Sequence, residues 1–500
     1  MTLGTLTLYI AIAALILTFA MYRGLKRVQH PGVSFLQNFC GALFVFSGWV
    51  KAVDPLGTAY KMEQYFAEFE STFSETWISF VAPVFPWLSE HAVLFSVVMI
   101  VFEIVLGLML LLGAHRKFTA WAFLLLVAFF TFLTGFTYLT GYVPAGVNFF
   151  EFGKWGPYVE TNMKVTDCGC FGDFLKLKPK VSFLKDVVLL VPALLFVFRH
   201  ERMHQLFTSR IRNATLGIAT LGLVLYCMSN YVWDIPHADF RPFKVGVNIA
   251  ERKALEEEAE ANVEITHYKI RDKESGKVIV LPVEQYLQEF KNYPKEKYDL
   301  EQVKTEPAVP RTKISDFEIS DQDGNDVTED ILAYPGYSFM LIAYKIPATT
   351  SEDAITVRDT VFAYDTLHLA GTDSFTVERR VASVTDRQVT QTTYHFDPAY
   401  VERYTKVVNP VMEEAERTGV RVFAITAYAD PAKLDDFRHE TQSAYPFYVA
   451  DDILLKTIVR SNPGIVLLHN GTIVQKWHWR QLPSFEEIRA KYGLGATAGQ

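Results

Sequence analysis

Two cysteines separated by a single glycine, Cys168 and Cys170 in "DCGCFGD" (167–173), are the residues of this chain best suited by type and spacing to do chemistry. A bridge between them would be tight, because the Cα atoms of a disulfide lie about 4.4–6.8 Å apart and an extended tripeptide sits near the upper limit. Gly169 can relax the turn, since glycine adopts backbone angles closed to other residues. Strained bridges carry more oxidising potentials, which suits exchange better than permanent stapling. The pair reads as a redox device, as a structural clip, or as half of a metal site. The last needs two more ligands, and no histidine lies nearby. Lys176, Lys178 and Lys180 would favour a thiolate here, whereas Asp167 and Asp173 would oppose it. Sequence does not name the attacking thiol. Cys40 and Cys227 complete a set of four cysteines, fall inside apolar runs, and read as packing residues.

The third chemical candidate is Glu103, in the middle of "VVMIVFEIVLGLML". A charge at such a depth costs at least about 2.5 kcal/mol, so the side chain is expected to face the interior of a helix bundle. Thr131 and Thr134 fall at comparable depth with no cation at that level, so a protonated carboxyl bonded to a hydroxyl is expected. A proton relay or quinone-headgroup contact and a plain structural hydrogen bond are equally open readings. Lys51 and Asp54, three residues apart, are expected to form an interfacial pair.

These residues need elements to hold them. Half of the 500 residues are hydrophobic and 14% aromatic, but the chain changes character near residue 234. Before it, runs of about 20 apolar residues recur, long enough to cross a hydrocarbon core. Six spans are expected, at 4–22, 33–51, 92–114, 118–142, 181–198 and 213–233, the first of them uncleaved because its positive charges follow rather than precede it. Basic residues gather at Arg23, Lys26 and Arg27, in "HRK" (115–117) and in "RHERMHQLFTSRIR" (199–212). By the positive-inside tendency these segments are cytoplasmic, which puts the N-terminus, the Cys-Gly-Cys loop and the whole rear of the chain on the periplasmic or external side, where disulfides are permitted. In the first external loop Met62, Phe66, Phe69, Phe73, Trp77 and Phe80 recur at helical spacing, so one amphipathic helix is expected there. The net charge of −8 gives no electrostatic case for nucleic acid.

Beyond the spans, "AERKALEEEAEAN" (250–262) reads as a charged helix and residues 264–290 as a hairpin turning at Ser275-Gly276. The segment 234–310 is treated as a connecting module. From 311 onward come a doubly buried strand (337–346), a helix (409–418), a strand (421–428), a helix (431–441), a strand (446–450), and two strands around Asn470-Gly471, a strong hairpin signal. A last helix starts at Ser484. An insertion rich in Thr, Val and Asp occupies about 350–400.

The stretch "FSGWVKAVDPLG" (46–57), with the spans that follow, resembles DoxX-family membrane proteins over roughly residues 33–200, and "DCGCFGD" before a span is similar to the motif of MauE-type relatives. "DFRPFKVGVNI" (239–249) resembles the tails of DoxX-family proteins of the Bacteroidota. The resemblance implies a four-helix core formed by spans two to five, with quinone-linked or thiol-linked envelope chemistry suggested for some members. The strand and helix order of 311–500 resembles a thioredoxin fold, with Pro463 where that family keeps its cis-proline. That domain lacks the family's Cys-x-x-Cys and holds no cysteine at all.

The expectation is therefore a polytopic α-helical membrane bundle (1–32, 33–200 and 201–233) joined through 234–310 to an external α/β thioredoxin-like domain (311–500). It sits in the bacterial inner membrane and serves envelope thiol chemistry or the maturation of exported proteins. Cys168 and Cys170 are the candidate redox pair and Glu103 the candidate proton relay. A quinone is the candidate cofactor, and the bilayer and a periplasmic protein are the expected partners. A non-enzymatic scaffold binding periplasmic partners is the alternative, and sequence does not decide whether the chain is an enzyme.

Overall fold

A computed structural model describes residues 2–25, 28–165, 169–368, 375–427 and 430–494. The chain forms two compact units, residues 1–244 with 457–461, and residues 245–456 with 462–500.

The first unit contains six helices long and apolar enough to cross a membrane, at Leu3–Gly24, Pro31–Val53, Ala92–Leu112, Arg116–Thr140, Pro179–Arg202 and Ser209–Trp233, which makes this a multi-pass membrane protein. Its helices are α1 (Leu3–Ala20), α2 (Pro31–Val53), α3 (Pro55–Ser74), α4 (Val84–Glu90), α5 (Ala92–Leu112), α6 (Arg116–Thr140), α7 (Pro179–Arg199) and α8 (Ser209–Met228). Proline opens α2, α3 and α7, at a position where its missing N–H costs nothing. Helix α5 stops at Gly113 in the left-handed region, and a Cβ there would fall 1.8 Å from the carbonyl oxygen of His204.

Helix α2 packs along α5, α6 along α7, and α1 along α2. The first of these contacts depends on small residues. A Cβ on Gly41 would lie 2.9 Å from the carbonyl oxygen of Gly107, and one on Gly48 would lie 2.4 Å from Ile104 Cγ1. Small residues let membrane helices approach until their backbones nearly touch, and here that approach sets the level at which α2 faces α5.

Helix α3 carries the aromatic stripe seen in the sequence, but only in part. Tyr65 and Phe69 are buried, and Phe69 meets the Phe136 ring edge-on at 4.9 Å. The helix ends at Ser74, whose hydroxyl turns back to the Glu70 carbonyl. Trp77, 91% exposed, and Phe80 therefore fall outside the stripe that their spacing suggested.

The second unit begins with α9 (Ile249–Ala261), capped by the Asn248 side chain. A three-stranded antiparallel sheet follows, β1 (Ile265–Asp272), β2 (Val278–Pro282) and β3 (Tyr298–Lys304), ordered β2-β1-β3, with α10 (Val283–Glu289) between its last two strands. The hairpin turn falls at Gly276 as expected, but the hairpin ends at Pro282 and α10 takes up the rest of the stretch to 289 read as its second strand; β3 was not anticipated.

After α11 (Thr328–Leu332) come β4 (Tyr337–Ala343), β5 (Ala348–His368), β6 (Phe375–Phe396), α12 (Pro398–Arg403), α13 (Asn409–Arg417), β7 (Arg421–Thr426), α14 (Pro431–Thr441), β8 (Phe447–Val449), α15 (Asp452–Ile458), β9 (Gly464–His469), β10 (Thr472–His478) and α16 (Phe485–Tyr492). Five of these strands form one sheet in the order β10-β9-β4-β7-β8, with β4, β7 and β8 parallel and β9 and β10 antiparallel. Strand β4 is buried from Ser338 to Ala343, as an apolar run flanked by helices should be. Phe437 anchors one face of the core, with the Tyr404, Phe396 and Phe447 rings at 5.1, 5.2 and 6.1 Å. Asn470 and Gly471 both have positive φ, the demand of a two-residue hairpin, and the Asn462–Pro463 bond is cis. The insertion is a long two-stranded ribbon of β5 and β6, paired from Ala348↔Phe396 to His368↔Phe375. Sequence gave it no regular structure, and α15 was also missed.

Candidate functional site

The close contact of α2 with α5 places Lys51, one turn past Gly48, opposite Glu103, the neighbour of the Ile104 that fills the Gly48 gap. Lys51 Nζ donates to Glu103 Oε2 at 2.6 Å, and both side chains are buried, Glu103 at 2% exposure. The ammonium also lies 5.0 Å from the centre of the Phe130 ring on α6. Glu103 does face the bundle interior, but its partner corrects two expectations. A cation is available at its level, and no threonine serves it. Thr131 donates to the Val127 carbonyl of its own helix.

The other threonine, Thr134, donates to Asp186 Oδ2 at 3.0 Å. Asp186 sits on α7 and pairs through its second oxygen with Lys185 Nζ. Neighbours in a helix point about 100° apart, so an ion pair between them requires the lysine stem to fold around the helix. Asp186 is fully buried and Lys185 half-buried. Both residues lie inside the fifth apolar run, where sequence reading passed over them. The available signal was the rule that an ionisable residue within a span marks a functional site.

The loop before α7 brings a thiol to these charges. Gly169 and Gly172 both have positive φ and close a turn through a 3.1 Å bond from the Gly172 N–H to the Gly169 carbonyl. Between them lie Cys170 and Phe171. The Cys170 carbonyl accepts from Ser47 Oγ of α2 at 2.9 Å, Phe171 is buried, and its ring centre lies 5.8 Å from Lys185 Nζ. Cys170 is half-buried and packed at the edge of the apolar core between α2, α6 and α7. Burial pushes its thiol above the ordinary value. Four charges then act on it: Lys185 and Lys51 pull it down, Asp186 and Glu103 push it up. The cations acting on Cys170 are thus not the expected Lys176, Lys178 and Lys180; Lys176 is turned to Asp173 at 3.4 Å. Cys168 and Asp167 lie outside the described residues. Cys40 and Cys227 are buried in the bundle.

Asp54 does not pair with Lys51. It caps α3 through the Gly57 N–H and receives Arg460, from the 457–461 segment of the first unit, at 2.8 Å. Burial opposes the Asp54 charge, but the Arg460 and then the Arg241 guanidinium hold its carboxyl below the usual range. Arg460 also lies 3.7 Å from Asp173 in the cysteine loop.

An apolar groove of about 550 Å3 runs between α5 and α6, lined by Met99, Phe102, Phe118, Trp121, Leu125 and Phe129 among others. Met99 is one helical turn from Glu103 on the same face. Among the described residues, no group of three or more His, Cys, Asp or Glu side chains is placed to hold a metal ion. Comparison of the chain with protein-family models, with curated proteins and with solved structures returns no match.

Proposed function

We propose that this protein carries out thiol–disulfide exchange on exported proteins at the external face of the inner membrane, in the manner of a DoxX/MauE-like bundle. The observation that carries this reading is the Cys170 loop itself, tied to α2 by the Ser47 hydroxyl on the Cys170 carbonyl and covered by Lys185 of α7 over the Phe171 ring, on a bundle that holds the Lys51–Glu103 and Lys185–Asp186 ion pairs. Buried ion pairs give little stability relative to apolar residues of similar volume, so a four-charge network beside a thiol favours a chemical role. The order β10-β9-β4-β7-β8 supports reading the second unit as thioredoxin-like. With no cysteine of its own, that unit serves to present a client.

In the exchange, one client thiolate attacks a sulfur of the Cys168–Cys170 disulfide and the S–S bond opens toward the other cysteine. The second client thiolate displaces the mixed disulfide. The client leaves oxidised, and its two protons end on Cys168 and Cys170. A membrane quinone would supply the oxidising equivalents that restore the bridge, taking up two electrons and two protons. The groove beside Met99, Phe102, Trp121 and Leu125 suits its apolar chain. Glu103 and Asp186 are the carboxylates to which this reading assigns the passage of protons from the thiols.

Two outcomes follow. A fusion of alkaline phosphatase after Gln500 should be active, since the basic loops place the rear of the chain outside; an inactive fusion made at normal level contradicts the orientation. In cells quenched with acid and alkylated with a mass-adding maleimide, Cys168 and Cys170 should occur in both redox states. Overproducing a disulfide-containing exported protein should shift them toward thiols. A pair fixed in one state under both conditions favours the scaffold reading.

A further inference from the structure

We propose that the β5–β6 ribbon is a self-association surface: the free edge of β6 pairs antiparallel with β6 of a second copy of this chain, about a two-fold axis between Ala382 and Ser383.

The ribbon lacks what a stable sheet needs. Its strands are 21 and 22 residues long and are bonded only to each other. At about 3.3 Å per residue they reach roughly 70 Å. Among the described residues neither outer edge is paired. The root is fixed by Phe396, whose ring meets Phe437 at 5.2 Å, but most of the described side chains beyond it are exposed. A lone two-stranded hairpin is marginal in water, and three or more strands with an apolar face make it stable. An open edge is a template for another chain.

The register defines an apolar face. Opposed residues of an antiparallel pair share a face, so Tyr364 with Arg379, Phe362 with Val381, Thr360 with Val384 and Arg358 with Asp386 form successive rows of one side. Tyr364, Phe362, Val381 and Val384 are all exposed, and the Arg379 guanidinium lies over the Phe362 ring at 3.9 Å. Over the same stretch the other side holds one large apolar side chain, Val361, among Asp359, Ala363, Arg380, Ser383 and Thr385.

The sequence of β6 selects a second copy as the neighbour. Set antiparallel against itself, "RRVASVTD" (379–386) brings Arg379 opposite Asp386, Val381 opposite Val384 and Ala382 opposite Ser383, each match occurring twice by symmetry. In a regular strand Val381 and Val384 would point to opposite sides. Here the register shift at Val361/Phe362 leaves Ala382 as an extra residue, so Val381 and Val384 share a face, as do Arg379 and Asp386. Both copies carry the extra residue at the same place, which keeps the two halves in step. The joined sheet, β5-β6-β6-β5, has Phe362, Val381 and Val384 of both copies in its two central rows, bordered by rows in which Arg379 of one copy meets Asp386 of the other. A slip of one residue turns paired side chains to opposite faces. The backbone ladder and the apolar rows supply the affinity, whereas exposed ion pairs are weak and serve to fix the register.

The test uses the full-length chain in detergent, carrying Cys168→Ser and Cys170→Ser, so its outcome is independent of the exchange reading. The native Cys40 and Cys227 are buried. Differently tagged Val381→Cys and Val384→Cys chains, made in the same cells and oxidised, should be joined by a disulfide, because opposed residues of antiparallel strands have Cα atoms within disulfide reach. Either chain alone should give no such product. Arg379→Asp and Asp386→Arg, each of which sets like charges opposite each other twice, should raise the dimer dissociation constant about tenfold in light scattering. The two made together should associate like the parent, since their charges are again complementary. The cysteine arm needs no charge change and decides the matter if a charge variant fails to assemble. Absence of the mixed disulfide, or charge variants that together associate no better than either alone, would overturn the proposal. So would ribbon cysteines that capture a different protein and never a second copy.

Discussion

Replacing Lys51 by methionine is expected to cost the bundle about 3–5 kcal/mol, because it leaves the Glu103 carboxylate buried among apolar helices with its cation removed. In the native protein the ammonium and carboxylate meet at 2.6 Å with both side chains out of solvent. The loss should appear as a large drop in the yield of folded protein from membranes and in the temperature at which detergent-solubilised protein aggregates. Removing both charges, in Lys51→Met with Glu103→Leu, should recover most of the loss, since well-packed apolar residues replace a buried pair at little cost. Glu103→Gln is the informative third variant. Had Glu103 been a neutral acid bonded to a threonine, glutamine would assemble normally. With Lys51 as its partner, glutamine strands an ammonium and should destabilise nearly as much as Lys51→Met. A Lys51→Met protein as stable as the parent, or a double variant no better than the worse single, would contradict the buried pair.

The contrast between those two expectations for Glu103 marks where sequence reading ends. Burial of a mid-span glutamate follows from the cost of a charge in hydrocarbon and needs no structure. Its partner does not follow, because the level at which two helices meet is set by their contact surface. Gly41, Gly48 and Gly107 bring α2 so close to α5 that Lys51, assigned by its position to the membrane boundary, reaches a residue placed near mid-membrane. Lys185 and Asp186 were legible in principle as two charges inside an apolar run, but the hydropathy of their neighbours concealed them.

The same division holds in the second unit. Strands buried on both faces and the Asn470-Gly471 turn are local signals, and they fall where expected. The ribbon of β5 and β6 has no such signal. Its strands are rich in threonine and charge, they are held by their backbone ladder, and cross-strand pairs such as Arg358–Asp386 and Arg387–Asp359 become visible only once the register is known. Helix α15, seven residues long, is too short to show a period. The aromatic stripe of α3 misled in the opposite direction: the spacing continues through Phe80, but the helix ends at Ser74, with Glu75 as its cap bonded to the Phe73 carbonyl, and periodicity does not register that end.

The central claim is that Cys168 and Cys170 exchange with a protein outside the membrane, and its most direct measurement is capture of the intermediate. A single serine at either position removes the second thiol of the pair, so when the remaining thiolate attacks a disulfide of a partner, one partner sulfur bonds to it, the other leaves as a thiolate, and no neighbouring cysteine resolves the mixed disulfide. Cells making Cys168→Ser or Cys170→Ser protein should show, on non-reducing gels after acid quenching, a band heavier than the monomer that disappears on reduction and is absent from the double serine variant. If neither single variant captures a partner, and the double serine variant supports normal growth and envelope function, the cysteines serve to shape the loop and the exchange account is wrong.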